Sequence, residues 1–403
     1  MSDYQPSAEI LINYAQVLVH LGLGKGQGIT PGDVVLIKHN QGSAAFIHHL
    51  YKAVLDAGGH PMLDTSYDFP AAADPTEVLK TYGGNEQLAF FPLKPATALW
   101  EVADHRLSLK STVHIEPSPT AGTEAAKARQ RITKQQTLLM RQFRDNNRDN
   151  GKAGWKSTTL AYYPTPAMAK EAGVTLRAFW QVIIDACCLE SADPVAAIRQ
   201  AMAKSQTMAE QLNQHDIASV HVVGDHVDLQ VAFAPESQFV AATGGNIPSF
   251  ETFTTPAASQ TNGWIACDIP TLHKGERIAG VKLTFMDGVC TGTAQTGNDA
   301  LQRLLQRNGA NRIGEFALTD KRLSAIRQAL PGSIMFMENI GGTGHIALGN
   351  GYPKCFNDPQ NTPDRNESVI HHDLVFNGDC TITATLRDGS QQIIWKAGQF
   401  TLF

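Results

Sequence analysis

Between Glu338 and Asp373 the chain gathers residue types that can hold a metal ion. The stretch reads Glu338-Asn339, a glycine-rich loop, Gly344-His345-Ile346-Ala347-Leu348-Gly349, Tyr352-Pro353, and then Ser368-Val369-Ile370-His371-His372-Asp373. The His371-x-Asp373 spacing suits a strand, because side chains at i and i+2 leave the same face and can reach one cation together. Imidazole nitrogen with carboxylate oxygen is a ligand set for zinc, cobalt, manganese and non-haem iron. Taken alone, the triplet also fits the exposed polar face of a strand.

Two further acids stand in segments rich in special residues. Glu251 lies in Asn246-Ile247-Pro248-Ser249-Phe250-Glu251-Thr252-Phe253-Thr254-Thr255-Pro256, and Glu315 in Arg312-Ile313-Gly314-Glu315-Phe316-Ala317-Leu318. Glu315 sits between a glycine and an apolar run, a poor place for an exposed acid. A buried carboxylate is costly unless it is paired or bound to a metal. Each glutamate by itself is equally a surface acid or a helix-capping partner.

These residues need a scaffold, and 403 residues are enough for two domains with full cores. A composition of 42% hydrophobic and 18% charged residues is that of an ordinary globular protein. The net charge of -5 is spread without long blocks, which argues against nucleic acid and for a small-molecule or peptide partner. No apolar run approaches the roughly 18 residues of a membrane span, and the start, MSDYQPSAEI, lacks the apolar region of a signal peptide. The six cysteines form no zinc spacing, so buried free thiols in a reducing, cytoplasmic setting are expected.

Apolar periodicity predicts a helix over 10–21 after Pro6-Ser7, a strand over 34–37, a helix over 43–57 and a strand over 61–64. That is a βαβ unit, and runs at 88–91 and 112–115 are expected to continue the series as strands. A basic helix with a solvated face is expected over 123–147, a strand over 155–163 and a helix over 193–214. From Ala218 the pattern turns to strands at 221–223, 227–233, 264–266 and 278–285, with helices over 298–306 and 320–330. Asp287-Gly288 and Asp388-Gly389 are hairpin signals, the second joining 381–386 to 391–395. The expected fold is α/β (α+β): an N-terminal βαβ domain over 1–215 with a mostly parallel sheet, and a mixed β-rich domain over 216–403 carrying the metal site.

Asn-Ile-Pro-x-x-Glu-x-Phe-Thr-Thr-Pro, Ile-Gly-Glu-x-Ala-Leu, Glu-Asn…His-Ile-Ala-Leu-Gly…Tyr-Pro and Ser-x-Ile-His-x-Asp follow one another here in that order. Together with Tyr14-Ala15-Gln16-Val17-Leu18-Val19 and Gly32-Asp33-Val34-Val35, they resemble the aminopeptidase T/aminopeptidase S family of thermophilic-type metallopeptidases (M29). The resemblance spans most of the chain and is weakest over 65–215. It implies a centre of two divalent ions per chain (zinc, cobalt, manganese or magnesium) on Glu251, Glu315, His345, His371 and Asp373, with Glu315 bridging. Two cations about 3.5–4 Å apart need shared negative charge, and together they bring a bound water into the neutral pKa range. Tyr352 matches a tyrosine the family keeps beside the metals. The implied reaction is attack of activated water on a peptide carbonyl polarised by a metal or Tyr352, with the substrate's free α-amino group as anchor. A homodimer is implied too.

Some positions depart from the family pattern. The loop from Glu338 to His345 is longer, which leaves the role of Glu338 open. Phe250 stands where a second acid is common, and His372 is an extra histidine expected to point away from the metals. A competing reading is an Fe(II)-dependent ring-cleaving dioxygenase of the 2,5-dihydroxypyridine type, for which His345, His371 and Asp373 alone would supply the two-histidine, one-carboxylate triad. Glu251 and Glu315 discriminate, since one iron does not need them and a second divalent ion does. A non-catalytic binding protein would not need the whole ligand set intact.

Overall fold

The computed structural model describes residues 4–70, 73–114, 135–144, 154–273 and 275–402. The chain divides into two compact units, one of Met1–Arg199 with Thr243–Pro248, the other of Gln200–Ala242 with Ser249–Phe403. It thus enters the second unit ahead of residue 215 and returns briefly to the first. No helix among the described residues is long and apolar enough to cross a membrane.

In the first unit, β1 (Val34–Asn40), β2 (His60–Ser66), β3 (His105–Lys110), β4 (Ser157–Tyr162) and β8 (Asn246–Ile247) form one parallel sheet in the order β2-β1-β3-β4-β8. Val35, Leu36 and Ile37 are all buried, as a central parallel strand covered on both faces requires. Helix α1 (Ala8–Val17) starts where Ser7 accepts a hydrogen bond from the Ile10 amide. Helix α2 (Ala44–Asp56) buries Phe46, Ile47, Leu50, Ala53 and Val54.

Two expected strands are replaced. Residues 88–91 instead contain the end of a short helix, Asn85–Ala89, whose first amide group at Gly84 is capped by the Gln87 side chain. Residues 112–114 are a loop held by Asp68, which accepts from the Val113 and His114 amides; Ile115 lies outside the described residues. The third strand is β3, hidden in sequence by polar residues that turn out to be buried. His105 contacts Asp33 and Ser157 through its two ring nitrogens, and the Arg106 guanidinium lies over the Trp100 and Trp155 rings. Of the expected basic helix, residues 135–144 are helical and the remainder lies outside the described residues. Leu139 and Phe143 on it are buried against Trp100 and Trp155, so this part has a packed face as well.

The second unit contains two antiparallel sheets. The larger uses β5 (Ile217–Gly224), β6 (Val227–Ala232), β10 (Asn262–Cys267), β11 (Thr271–His273), β12 (Glu276–Met286), β13 (Val289–Thr296), β17 (Thr381–Leu386), β18 (Gln391–Lys396) and β19 (Gln399–Phe400). Both expected hairpins are present, and at the first Asp287 and Gly288 take φ values of 49° and 77°, the left-handed pair of a tight two-residue turn. The smaller sheet uses β7 (Val240–Ala241), β9 (Thr252–Thr254), β14 (Ile313–Thr319), β15 (Thr343–Gly349) and β16 (His371–Asn377), in the order β16-β15-β14-β9-β7. Phe316, Leu318, Ile346, Leu348, Leu374 and Phe376 on this sheet join Val222, Leu229, Ile265 and Leu283 of the larger one in a single buried cluster.

The helix expected over 320–330 is absent; the segment is irregular. Its polar groups bond locally instead of continuing a helical ladder. Asp320 takes the Arg322 guanidinium, the Arg322 amide and the Phe400 amide, while Arg327 donates to the Lys321, Ser324 and Ile326 carbonyls.

Candidate metal centre

Strand alternation puts the apolar residues of the smaller sheet on its core face and a different set on the other. On that second face Glu315 of β14 pairs with Ala347 of β15, and Ala347 pairs with Asp373 of β16. One step along, Phe253, Ala317, His345 and Val375 form the next row. Directly paired residues of antiparallel strands project to the same side, so Glu315, His345 and Asp373 converge. His371 joins them two residues before Asp373.

Gly314 makes this register possible. The β14–β15 pairing shifts between Ile313 and Glu315, and a Cβ at Gly314 would collide with the Gly349 and Asn350 backbone. Only glycine fits this bulge, which turns Glu315 toward the site. Tyr352 is fixed from the neighbouring strand end: its amide donates to Thr255 Oγ1 at 2.9 Å, and the Thr255 hydroxyl donates back to the Tyr352 carbonyl at 3.3 Å.

Three overlapping groups bring one ligand atom per residue within 4.8 Å of one another: Glu251, Glu315 and His345; Glu315, His371 and Asp373; Glu338, His345 and Asp373. Glu315 belongs to the first two, Asp373 to the last two, and His345 to the first and third. His345 Nε2 lies 3.9 Å from both Glu251 Oε2 and Glu315 Oε1. His371 Nε2 lies 3.1 Å from Glu315 Oε2, 3.2 Å from Asp373 Oδ1 and 3.0 Å from the Tyr352 hydroxyl. All four carboxylates belong to the second unit, and Glu251, Glu315 and Glu338 are buried.

The residues fit a divalent cation on chemical grounds. His371 Nδ1 stands 2.9 Å from the Asn350 carbonyl, which can only accept, so Nδ1 carries a proton. Its Nε2 then faces two carboxylates, an arrangement that calls for a positive charge, either a second proton or a cation. Burial would lower the His371 pKa, but Asp373 and Glu315 hold it well above the usual range. Burial, with the like charge of Glu315 adding to it, pushes the Glu251 carboxyl up to about 7 even though His345 pulls the other way. Burial and the acids Glu251, Asp373 and Glu315 raise Glu338 well above the usual carboxylate range. Burial would raise Asp373 too, yet His371 beside it holds this carboxyl far below the usual range. Among the described residues His345 Nδ1 is buried without a hydrogen-bond partner, and Asp373 Oδ1 is buried facing the His371 imidazole. Crowded acids of this kind are relieved by cations, and oxygen with imidazole suits zinc, cobalt and manganese.

The family model for thermophilic metalloproteases (M29) matches residues 7–400. The chain belongs to this family. Aminopeptidase 2 of Geobacillus stearothermophilus is 25% identical to this M29 protein over 419 residues, covering 97% of each chain. Among solved structures, wild-type AmpT from Thermus thermophilus matches with a TM-score of 0.77 at 20% identity, covering 97% of this chain and 99% of that one. The 2,5-dihydroxypyridine dioxygenase from Pseudomonas putida KT2440 matches with a TM-score of 0.51 at 14% identity, over 98% of each chain, a likeness of fold alone. The α/β class and the metalloprotease family expected from sequence are both borne out.

The five residues implied as ligands come together, and Tyr352 stands beside them. Glu338, whose role the sequence left open, joins as well. Glu338 is followed by a turn where the Gly341 and Gly342 amides donate to the Ile326 and Thr319 carbonyls, and the Thr319 hydroxyl holds the Glu338 carbonyl at 3.0 Å. An acid ending the apolar run Ile334-Met335-Phe336-Met337 was the signal for it. Sequence also passed over Lys354, whose Nζ lies 4.6 Å from the Phe253 ring centre and 5.3 Å from that of Tyr352. His372 is buried on the opposite side of β16, its ring edge-on to His273 at 5.3 Å. Phe250 is buried, its amide donating to Asn339 Oδ1.

Proposed function

We propose that this M29 metalloprotease is an aminopeptidase that removes N-terminal residues from peptides through a water activated by two divalent cations. The observation that carries the reading is the membership of Glu315 in two distinct ligand groups, one with Glu251 and His345, the other with His371 and Asp373. One ion needs a single group; overlapping groups support a pair of ions, and of the two carboxylates that belong to two groups, Glu315 and Asp373, the family resemblance sets Glu315 between them. Glu338 is added to the ligand set from its place with His345 and Asp373.

Zinc, cobalt, manganese or magnesium bound there would supply an activated water and a Lewis acid for the scissile carbonyl. The chain's own residues do the rest. Asn350 fixes the His371 tautomer so that Nε2 faces the centre. Burial first, and then Glu315, Asp373, Glu338 and Glu251, raise the Tyr352 hydroxyl well above its usual range, so it keeps its proton and acts as a donor. Placed 3.0 Å from His371 Nε2, it is positioned to donate to the oxyanion that develops during attack. Cleavage at a free N-terminus follows the family resemblance, which implies the substrate's free α-amino group as the anchor. Five of the six free cysteines are buried, which supports a reducing, cytoplasmic setting, and the family resemblance supports a homodimer.

The dioxygenase reading leaves Glu251 and Glu315 without a purpose beside a single iron. A panel of unblocked peptides, their N-acetylated forms and dihydroxypyridines, offered to the metal-loaded chain, separates the two. Cleavage of unblocked peptides only is expected. Efficient cutting of acetylated peptides, or ring opening without peptidase activity, would overturn the proposal.

A further inference from the structure

Lys354 has no evident part in holding cations, yet it is placed with care. It lies in the single turn Pro353–Cys355 that follows Tyr352. That turn is pinned: the Gln238 amide donates to the Cys355 carbonyl at 2.8 Å, and the Gln238 side chain donates to the Lys354 and Phe356 carbonyls. The side chain rises from an exposed position, and its ammonium lies over the rings of Phe253 and Tyr352, themselves in edge-to-face contact at 5.8 Å. Phe253 is buried, and Tyr352 reaches His371 with its hydroxyl. No ion pair ties Lys354 to a carboxylate among the described residues; its charge lies over two aromatic faces and acts on the Glu251 carboxyl only through space.

We infer that Lys354 binds a carboxylate of the peptide substrate and so biases the enzyme toward peptides that carry one close to the cleaved bond. This rests on the aminopeptidase reading and deepens it. The charge balance supports it. Glu251, Glu315, Glu338 and Asp373 are offset when two divalent cations are bound, which leaves the ammonium as the uncompensated charge at the rim. An ammonium over aromatic rings is partly stripped of water but keeps free N–H donors, the condition in which a charge-assisted hydrogen bond gains strength. The carboxylate has two possible sources, the terminal carboxylate of a dipeptide or an acidic side chain on either of the first two residues. The chemistry recognised is the same.

The test uses the metal-loaded full chain and dipeptides whose scissile amide is replaced by a methylene-amine link, so binding is read without turnover. Calorimetry compares the free acid with the C-terminal amide, and amides bearing Glu with those bearing Gln at each position. A carboxylate in the right place is expected to tighten binding about ten-fold. Lys354→Met, which keeps the length of the stem over the rings, should erase that difference, and Lys354→Arg should retain most of it. The arm that responds names the source of the carboxylate. Equal binding of every acid and neutral pair by the wild type, or a preference that survives in Lys354→Met, overturns the role of Lys354. Ordinary dipeptides run in parallel keep the two readings apart: cleavage without any acid preference removes only this inference, whereas no cleavage at all removes the aminopeptidase reading with it.

Discussion

Glu315 and Asp373 face the same side of one sheet with Ala347 alone between them. Two strand spacings separate their backbones by roughly 10 Å, and a methyl group in the middle leaves that space for their carboxylates and His371. Ala347 is fully buried. Any larger side chain there would fill the space the ligand atoms share.

Ala347→Val is therefore expected to weaken metal binding while the strand itself tolerates valine. Overpacking of about 1–3 kcal/mol corresponds to roughly five-fold to somewhat over one-hundred-fold in affinity. Competition with a fluorescent chelator measures it, and thermal unfolding of the metal-free chain checks the fold. An unchanged affinity would mean that position 347 does not bound the site.

Tyr352→Phe tests the donor. Loss of one oxyanion donor costs roughly 10²–10³ in kcat, or about 2.7–4 kcal/mol. The loss should fall on kcat more than on KM, because the ground-state carbonyl carries little charge. Metal content should stay at the wild-type level. If Tyr352 only packs against Phe253 and His371, which its ring contacts allow, phenylalanine will be nearly neutral.

Metal binding should release protons below neutral pH. With Glu251 pushed up to about 7 by burial and Glu315, and Glu338 raised by burial and its acidic neighbours, the metal-free centre is protonated in that range. A cation must displace those protons and the one on His371 Nε2, so affinity should fall as pH drops through about 7. Calorimetry in buffers of different ionisation enthalpy counts the protons. Affinity independent of pH through this range would contradict the crowded, protonated centre.

Much of this site could be read before the fold was known, because its motifs are local. His371-x-Asp373 is a strand period and the other ligand positions follow from the ordered motifs shared with the M29 family, whereas the bulge at Gly314 that turns Glu315 to the site shows only in the structure. Glu338 was less legible, since its place depends on how the Asn339–Gly342 turn hangs from Thr319 and Ile326. β3 was missed because His105 and Arg106 look exposed until Asp33, Ser157 and two tryptophans are set around them. Residues 320–330 have helical apolar spacing, but Asp320 and two arginines bind the backbone in other ways. In each case the deciding partner is distant in sequence or competes with the helix through its side chain.

The central claim is that Glu315 is shared by two cations, and metal stoichiometry in Glu315→Gln tests it most directly. A neutral amide cannot bridge two positive charges. Mass spectrometry of the folded protein, with hydrolysis of an aminoacyl-arylamide run alongside, should find two divalent ions per wild-type chain. The variant should hold no more than one, with hydrolysis abolished and thermal stability of the metal-free fold retained. Two ions per chain in Glu315→Gln together with near-normal turnover would contradict the shared role of Glu315.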